Sequence, residues 1–264
     1  HVAAVVIDGT DSIVLTIFST LTNVSIYGVY NLVVMGVKQL FMSLTNGIQS
    51  LIGELWAKQE MDTLYDFFSK IEWMIHMGTI YLFGCTACLI VPFIEVYTYG
   101  INDANYIQKS FAMLLVIANG IHCLRIPYVV MILAAGHYKQ TQSNYLITAF
   151  VNIIVSILLV IKYGLIGVAI GTLVSMLYQT IWMANYVSQK IIKNSRNNFI
   201  KLFVTDIMTF IIILFSNSLV KMKNITYMAW ILMAVKVAII SAFIMIIINL
   251  LFYHKKLFNL FNKK

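Results

Sequence analysis

The chain has 264 residues, 61% of them hydrophobic and 11% charged, with two prolines and a mean hydropathy of +0.87. Soluble domains are about 45–50% apolar and about 25% charged, so this composition leaves too little polar surface to cover a globule. It excludes a soluble enzyme, a nucleic-acid reader and a disordered regulator, and it makes the placement of the cations behind the net charge of +8 matter more than their sum.

Apolar sequence begins at Val2 with no basic leader, so no signal peptide is read. The first residue is His1 rather than Met, which reads as a cut inside a longer protein. Eight stretches are long and apolar enough to cross hydrocarbon: 2–19, 26–50, 73–94, 110–134, 145–161, 165–187, 202–220 and 228–252. None shows the period-two alternation of a barrel strand, and a helix satisfies its own backbone in lipid. The sequence therefore predicts an all-α polytopic membrane protein with eight transmembrane helices.

Lysine and arginine orient it. Lys58, Lys70, Lys139, Lys190, Lys193, Arg196, Lys201, Lys255, Lys256, Lys263 and Lys264 fall in 54–72, 135–144, 188–201 and the tail from 253. The opposite loops hold Lys162, Lys221 and Lys223, with Lys109 at a span edge. The positive-inside rule places the larger group, and both ends of the chain as given, in the cytoplasm. Residues 54–72 and 253–264 mix large apolar side chains with charges and read as helices lying on the membrane surface; for the tail, an ordinary stop-transfer flank is an equal alternative.

An ionisable group at a helix centre costs about 2.5–3.5 kcal/mol on insertion scales, so it persists where it meets a cavity or a partner. The first span holds Asp8 and Asp11. On the second, Asn31, Lys38 and Thr45 are spaced by seven, with Met42 and Gln49 on the same face. Such a stripe drifts only about 20° per step. It reads as a wet, cavity-lining surface, and pairing of Lys38 with Asp8 or Asp11 is a compatible structural reading. In the third span, Cys85-Thr-Ala-Cys88 lacks flanking turn residues and a second ligand pair, so it reads as helix packing rather than zinc or redox chemistry.

The fourth span carries Asn119, His122 and Arg125 at i, i+3 and i+6, followed by Pro127, which frees a backbone carbonyl in the turn before it. A guanidinium can grip a phosphate bidentately, whereas a lysine acts as a point charge. Spacing alone equally allows Arg125 to lock one helix to another, and His122 reads first as a packing histidine. Thr148, Asn152 and Ser156 on the fifth span face Gly167, Gly171 and Ser175 on the sixth across a short turn, which predicts a tight antiparallel scaffold pair. Asp206 sits two turns into the seventh span, and Lys236 in the eighth has a stem long enough to snorkel. Nucleophile triads, phosphate loops and metal-ligand clusters are absent from the sequence, so the chain reads as a non-enzyme with no metal and no cofactor.

At Arg125-Ile-Pro-Tyr, continuing through Ala134-Ala-Gly-His-Tyr-Lys-Gln-Thr-Gln142, the sequence resembles the polysaccharide flippases of the multidrug/oligosaccharidyl-lipid/polysaccharide exporter superfamily. Supporting stretches are Thr10-Asp-Ser-Ile-Val14, Ser25-Ile-Tyr-Gly-Val-Tyr30, Asn152 to Val160, and Lys162 to Leu173. Their order resembles the carboxy-terminal part of that family. The resemblance implies one six-helix lobe (1–190) of a two-lobe transporter, then two additional helices and a basic tail (191–264). It also implies translocation of undecaprenyl-diphosphate-linked oligosaccharide across the bacterial cytoplasmic membrane by alternating access, for surface polysaccharide biosynthesis. The partners would be that lipid-linked oligosaccharide, membrane lipid, the missing amino-terminal lobe and glycan polymerase machinery, with no nucleic acid. Lys38 and Arg125 would then neutralise the lipid diphosphate, while Asn31, Gln49, Asn119 and His122 contact sugar or water. Asp8 and Asp11 would hold the cations or couple an ion. Two other readings stand beside this one: an ion-coupled multidrug exporter of the same superfamily, and a non-transporting membrane scaffold for glycan assembly.

Overall fold

A computed structural model of the protein describes residues 2–192 and 197–261, without the side chains of 2–8, 44–46, 197 and 255–261. The described residues form helices and connecting turns: α1 (Val2–Phe18), α2 (Leu21–Ala57), α3 (Met61–Tyr97), α4 (Lys109–Leu124), α5 (Ile126–Ala134), α6 (Tyr138–Tyr163), α7 (Leu165–Tyr186), α8 (Asn197–Asn217) and α9 (Tyr227–Phe261). A π-helical turn, Val187–Ile191, continues α7. Seven of the described spans are long and apolar enough to cross a membrane, α4 and α5 together making one of them. The 17 residues of α1 occupy the remaining expected span. The protein is an all-helical, multi-pass membrane protein.

The break between α4 and α5 falls at Arg125. Pro127 has no amide proton, and its ring disfavours a regular helix through the preceding turn. The Arg125 amide accordingly bonds the His122 carbonyl at 3.3 Å, a tightened turn instead of the regular step of four. At the end of α5, Gly136 adopts φ +70°, a left-handed conformation that lets the His137 amide reach back to the Ile132 carbonyl at 3.1 Å.

Residues 54–72 do not form a separate surface helix. α2 and α3 run 37 residues each, about 55 Å at 1.5 Å per residue, and meet at a turn where Gln59 takes φ +57°. Leu64, Phe68 and Ile71 are spaced for one helix face and are all buried. Leu64 and Phe68 pack with Tyr128, Met131, Met183 and Val187, while Leu55, Trp56 and Phe67 cover the same cluster. The apolar residues that suggested a membrane-surface helix are spent on protein contact. In the tail, α9 continues past Tyr253, whose φ −136° and ψ 27° kink the helix where the surface segment was expected to begin. The side chains from 255 onward lie outside the described residues.

Two ends of the bundle can be recognised by their ties. At one, the Tyr30 hydroxyl donates to the Tyr106 carbonyl at 2.8 Å and accepts from the Gln108 amide at 3.0 Å, joining α2 to the loop before α4. The α2–α3 turn and the His137–Tyr186 bond (3.0 Å) mark the other. Lys109, Lys162, Lys221 and Lys223 lie towards the first end by chain order, and Lys58, Lys70, Lys139, Lys190 and Lys201 towards the second. Lys193, Arg196, Lys255, Lys256, Lys263 and Lys264 fall outside the described side chains.

α6 and α7 pack closest where glycine permits it. A Cβ on Gly167 would overlap the Leu159 carbonyl and come within 2.7 Å of the Val160 amide nitrogen, and one on Gly171 would lie 2.8 Å from the Ser156 nitrogen. α8 and α9 pack on α3 and on each other. The Trp73 indole anchors α9 by donating to Asn249 Oδ1 at 2.8 Å. We predict that Gly167→Ala costs about 1–3 kcal/mol, the scale of overpacking, and lowers the thermal unfolding midpoint in detergent. Gly36→Ala, where nothing lies within 4 Å of the new Cβ, is the control expected to leave it unchanged or raised.

Candidate functional site

α1, α2, α4 and α7 enclose a small polar cavity of about 20 Å³, space on the order of one water. Its walls carry Asp11, Tyr27, Asn31, Lys38, Asn119, His122 and Thr172. Asp11 and Lys38 are both buried. A carboxylate is tolerated at such depth only when hydrogen-bonded or paired. Asp11 is held by the Thr172 hydroxyl, 2.9 and 2.7 Å from its two oxygens, and by the Tyr27 hydroxyl at 3.3 Å. Asn152 donates to Thr172 at 3.3 Å, extending the network into α6. The helix pair expected to be scaffold thus also supplies Asp11 with its partner.

Of the i, i+3, i+6 set on α4, His122 and Arg125 meet, and Asn119 and His122 line the cavity. Arg125 Nη2 lies 3.3 and 3.4 Å from the ring nitrogens of His122, and Arg125 is buried at the helix break. Asn119 uses its amide on its own helix, donating to the Leu115 carbonyl at 3.0 Å. His122 therefore stands between the cavity and Arg125.

The stripe on α2 does not behave as one surface. Asn31 is half-buried and Lys38 buried, both facing the cavity, but Met42 and Gln49 are exposed. Gln49 is eleven residues beyond Lys38, about 16 Å along the helix, and it is not among the cavity's lining residues. Gln49 keeps the angular direction of Asn31, about five turns further on at 3.6 residues per turn, so it leaves the cavity by distance along the helix rather than by rotation. Thr45 and Asp8 lie outside the described side chains. On α9, Lys236 is exposed beside the exposed Val235.

A second buried polar cluster was not foreseen. The Tyr128 hydroxyl of α5 donates to Glu72 Oε1 of α3 at 2.7 Å and lies 3.5 Å from His76 Nε2. The other ring nitrogen of His76 is 2.5 Å from Asp206 Oδ2 of α8. All four side chains are buried. Glu72 and His76 stand four apart on one helix face, a spacing that could have flagged them. The sequence separates them, because Glu72 falls in the segment expected to lie on the membrane surface and Asp206 sits on a distant span.

No protein-family model and no curated protein matches the sequence. Among solved structures, lipid II flippase MurJ in an inward closed conformation superposes on 95% of the chain with a TM-score of 0.70 and 16% sequence identity. The chain has a MurJ-like fold. It covers 52% of that protein, so it spans about half the length of its structural neighbour. At 16% identity the likeness bears on fold, and the neighbour's substrate is a property of the neighbour.

Removing the Thr172 hydroxyl tests whether Asp11 depends on α7. Thr172→Val leaves a buried carboxylate short of a donor, which costs about 1–3 kcal/mol. It should lower the detergent unfolding midpoint, with Thr172→Ser restoring it.

Proposed function

We propose that the chain is the carboxy-terminal part of a flippase for undecaprenyl-diphosphate-linked oligosaccharide in the bacterial cytoplasmic membrane, serving surface polysaccharide biosynthesis. The observation that carries this reading is the gathering of Lys38, Asn31, Asn119 and His122 around one buried cavity, with Arg125 joined to His122, inside a MurJ-like fold.

A lipid diphosphate cannot cross hydrocarbon with its charge exposed. On this reading Arg125 takes phosphate oxygens through its guanidinium fork and Lys38 supplies a second cation, while the helix break at Arg125 gives the side chain room to turn. Asn31, Asn119 and His122 meet sugar or water, and Gln49 meets them where the two lobes face each other. Asp11, and Asp8 with it, hold the cations between transport events or bind a coupling ion. Residues 1–190 act as one transport lobe, 191–264 add two helices and a basic tail, and a second lobe completes a cavity that opens to each side of the membrane in turn. The group of basic residues at the α2–α3 turn end faces the cytoplasm, as do both ends of the chain. Glycan polymerase machinery is the expected recipient of the product.

Arg125→Ala in the complete protein is expected to abolish surface polysaccharide while membrane abundance stays normal. Normal polymer in that strain would remove the residue from its role. Drug sensitivity of a deletion strain with unaltered polymer would favour the multidrug exporter instead.

A further inference from the structure

The buried cluster that ties α8 to the lobe has the composition of a site for an ion smaller than any metal. We propose that Glu72, Tyr128, His76 and Asp206 form a proton-binding site, in which one exchangeable proton is held between two carboxylates and sets how firmly α8 docks on α3.

The geometry is a continuous bridge. Glu72 Oε1 accepts from the Tyr128 hydroxyl (2.7 Å), that hydroxyl lies 3.5 Å from His76 Nε2, and His76 Nδ1 lies 2.5 Å from Asp206 Oδ2. Tyrosine and imidazole are the two side chains able to receive a proton on one side and release one on the other. In a single hop, the His76 Nε2–H bond breaks as a Tyr128 O–H bond forms, and the original Tyr128 O–H bond breaks as a Glu72 O–H bond forms. Tyr128 ends with the proton count it began with. The net charge of the cluster is unchanged.

Charge balance supplies the reason for uptake. A state with both carboxylates ionised and the imidazole protonated would carry one net negative charge. One further proton makes it neutral, which a low-dielectric site favours. Among the described residues no lysine or arginine comes within 4.0 Å of Glu72 or Asp206 to supply that balance instead. The titratable groups around the cluster are Tyr65 on α3 and Tyr253 on α9, with Lys201 of α8 over the far ring of Tyr253 at 5.0 Å. The α7 end contributes Ala184, Val187 and Ser188, none of which titrates in this range. Among the described residues no group of His, Cys, Asp and Glu is arranged to hold a metal ion.

Both ends of the bridge open onto cavities. Glu72 and Tyr128 line one of about 40 Å³ at the end of the bundle that carries the α2–α3 turn. Asp206 lines an apolar groove of about 390 Å³ between α3, α4 and α8. A proton arriving from the first changes the charge at the edge of the second. Because Asp206 belongs to α8 and His76 to α3, the neutral form holds the two helices together. The ionised form leaves one uncompensated negative charge on the buried bridge that runs from Glu72 through Tyr128 to the α3–α8 pair.

The site needs no substrate and no second lobe, so it stands or falls separately from the flippase reading. The test uses the 264-residue chain in detergent, titrated from about pH 8 to about pH 5, the interval in which imidazole-linked sites change charge. Infrared difference spectra should show one buried protonated carboxyl appearing at low pH in the unaltered chain and missing from Glu72→Gln and from Asp206→Asn. In each of those variants the remaining carboxylate and imidazolium already balance. The unfolding midpoint of the unaltered chain should rise as pH falls over the same interval. Tyr128→Phe keeps both carboxylates but removes the donor that favours ionised Glu72, so it should move the titration to higher pH. Absence of the carboxyl signal in the unaltered chain, its survival in both amide variants, a midpoint indifferent to pH, or a Tyr128→Phe titration that does not move would each overturn the proposal.

Discussion

Hydrocarbon gives an unpaired charge nowhere to go, and the arrangement of this bundle follows from that constraint. Asp11 lies in the first helix, yet it accepts a hydrogen bond from Thr172, 161 residues away. The contact fixes α1 against α7, and α7 is in turn locked to α6 by glycines that admit no side chain. Tyr27 adds α2 to the same carboxylate. Four helices are thereby positioned around one buried acid, and the cavity beside it is a consequence. Any residue that reaches that cavity does so on elements whose places the acid helped to set.

The same constraint explains why α8 sits where it does. An apolar helix has no hydrophobic reason to prefer protein over lipid, so close packing and polar links together decide its docking. His76 and Asp206 provide one for α8, and Trp73 with Asn249 provides one for α9. Both begin on the same stretch of α3, the part of the helix that extends towards the α2–α3 turn. The length of α3 is what lets one helix serve the lobe with one face and the two later helices with another. The conserved geometry of a helix, 1.5 Å per residue, makes 37 residues enough to do so.

Much of this could be read without a structure. The spans were legible because about twenty consecutive apolar residues have few other uses. The break at Arg125 agrees with the local effect of Pro127 on the turn before it, whereas Pro92 is carried inside the continuous α3. The cluster of Asn119, His122 and Arg125 followed from helical spacing alone. The α2 stripe was only half legible: Asn31 and Lys38 share the cavity, but the helix runs on beyond it and Gln49, on the same side, is exposed. Residues 54–72 were misread because an amphipathic segment looks the same whether its apolar side meets lipid or protein. The Leu64–Tyr128 packing that decides between them joins distant parts of the chain.

The sequence by itself determined that this is a helical membrane protein, which stretches are apolar enough to span, and which polar groups must find partners within them. Those are local matters, set by composition and by helical period. Only the tertiary structure decided who the partners are. Asp11 with Thr172, and His76 with Asp206 across 130 residues, are meetings that no spacing encodes, because they depend on which helices lie side by side. That neighbourhood is set by the summed packing of the whole bundle, in which each polar pair is one contribution among many.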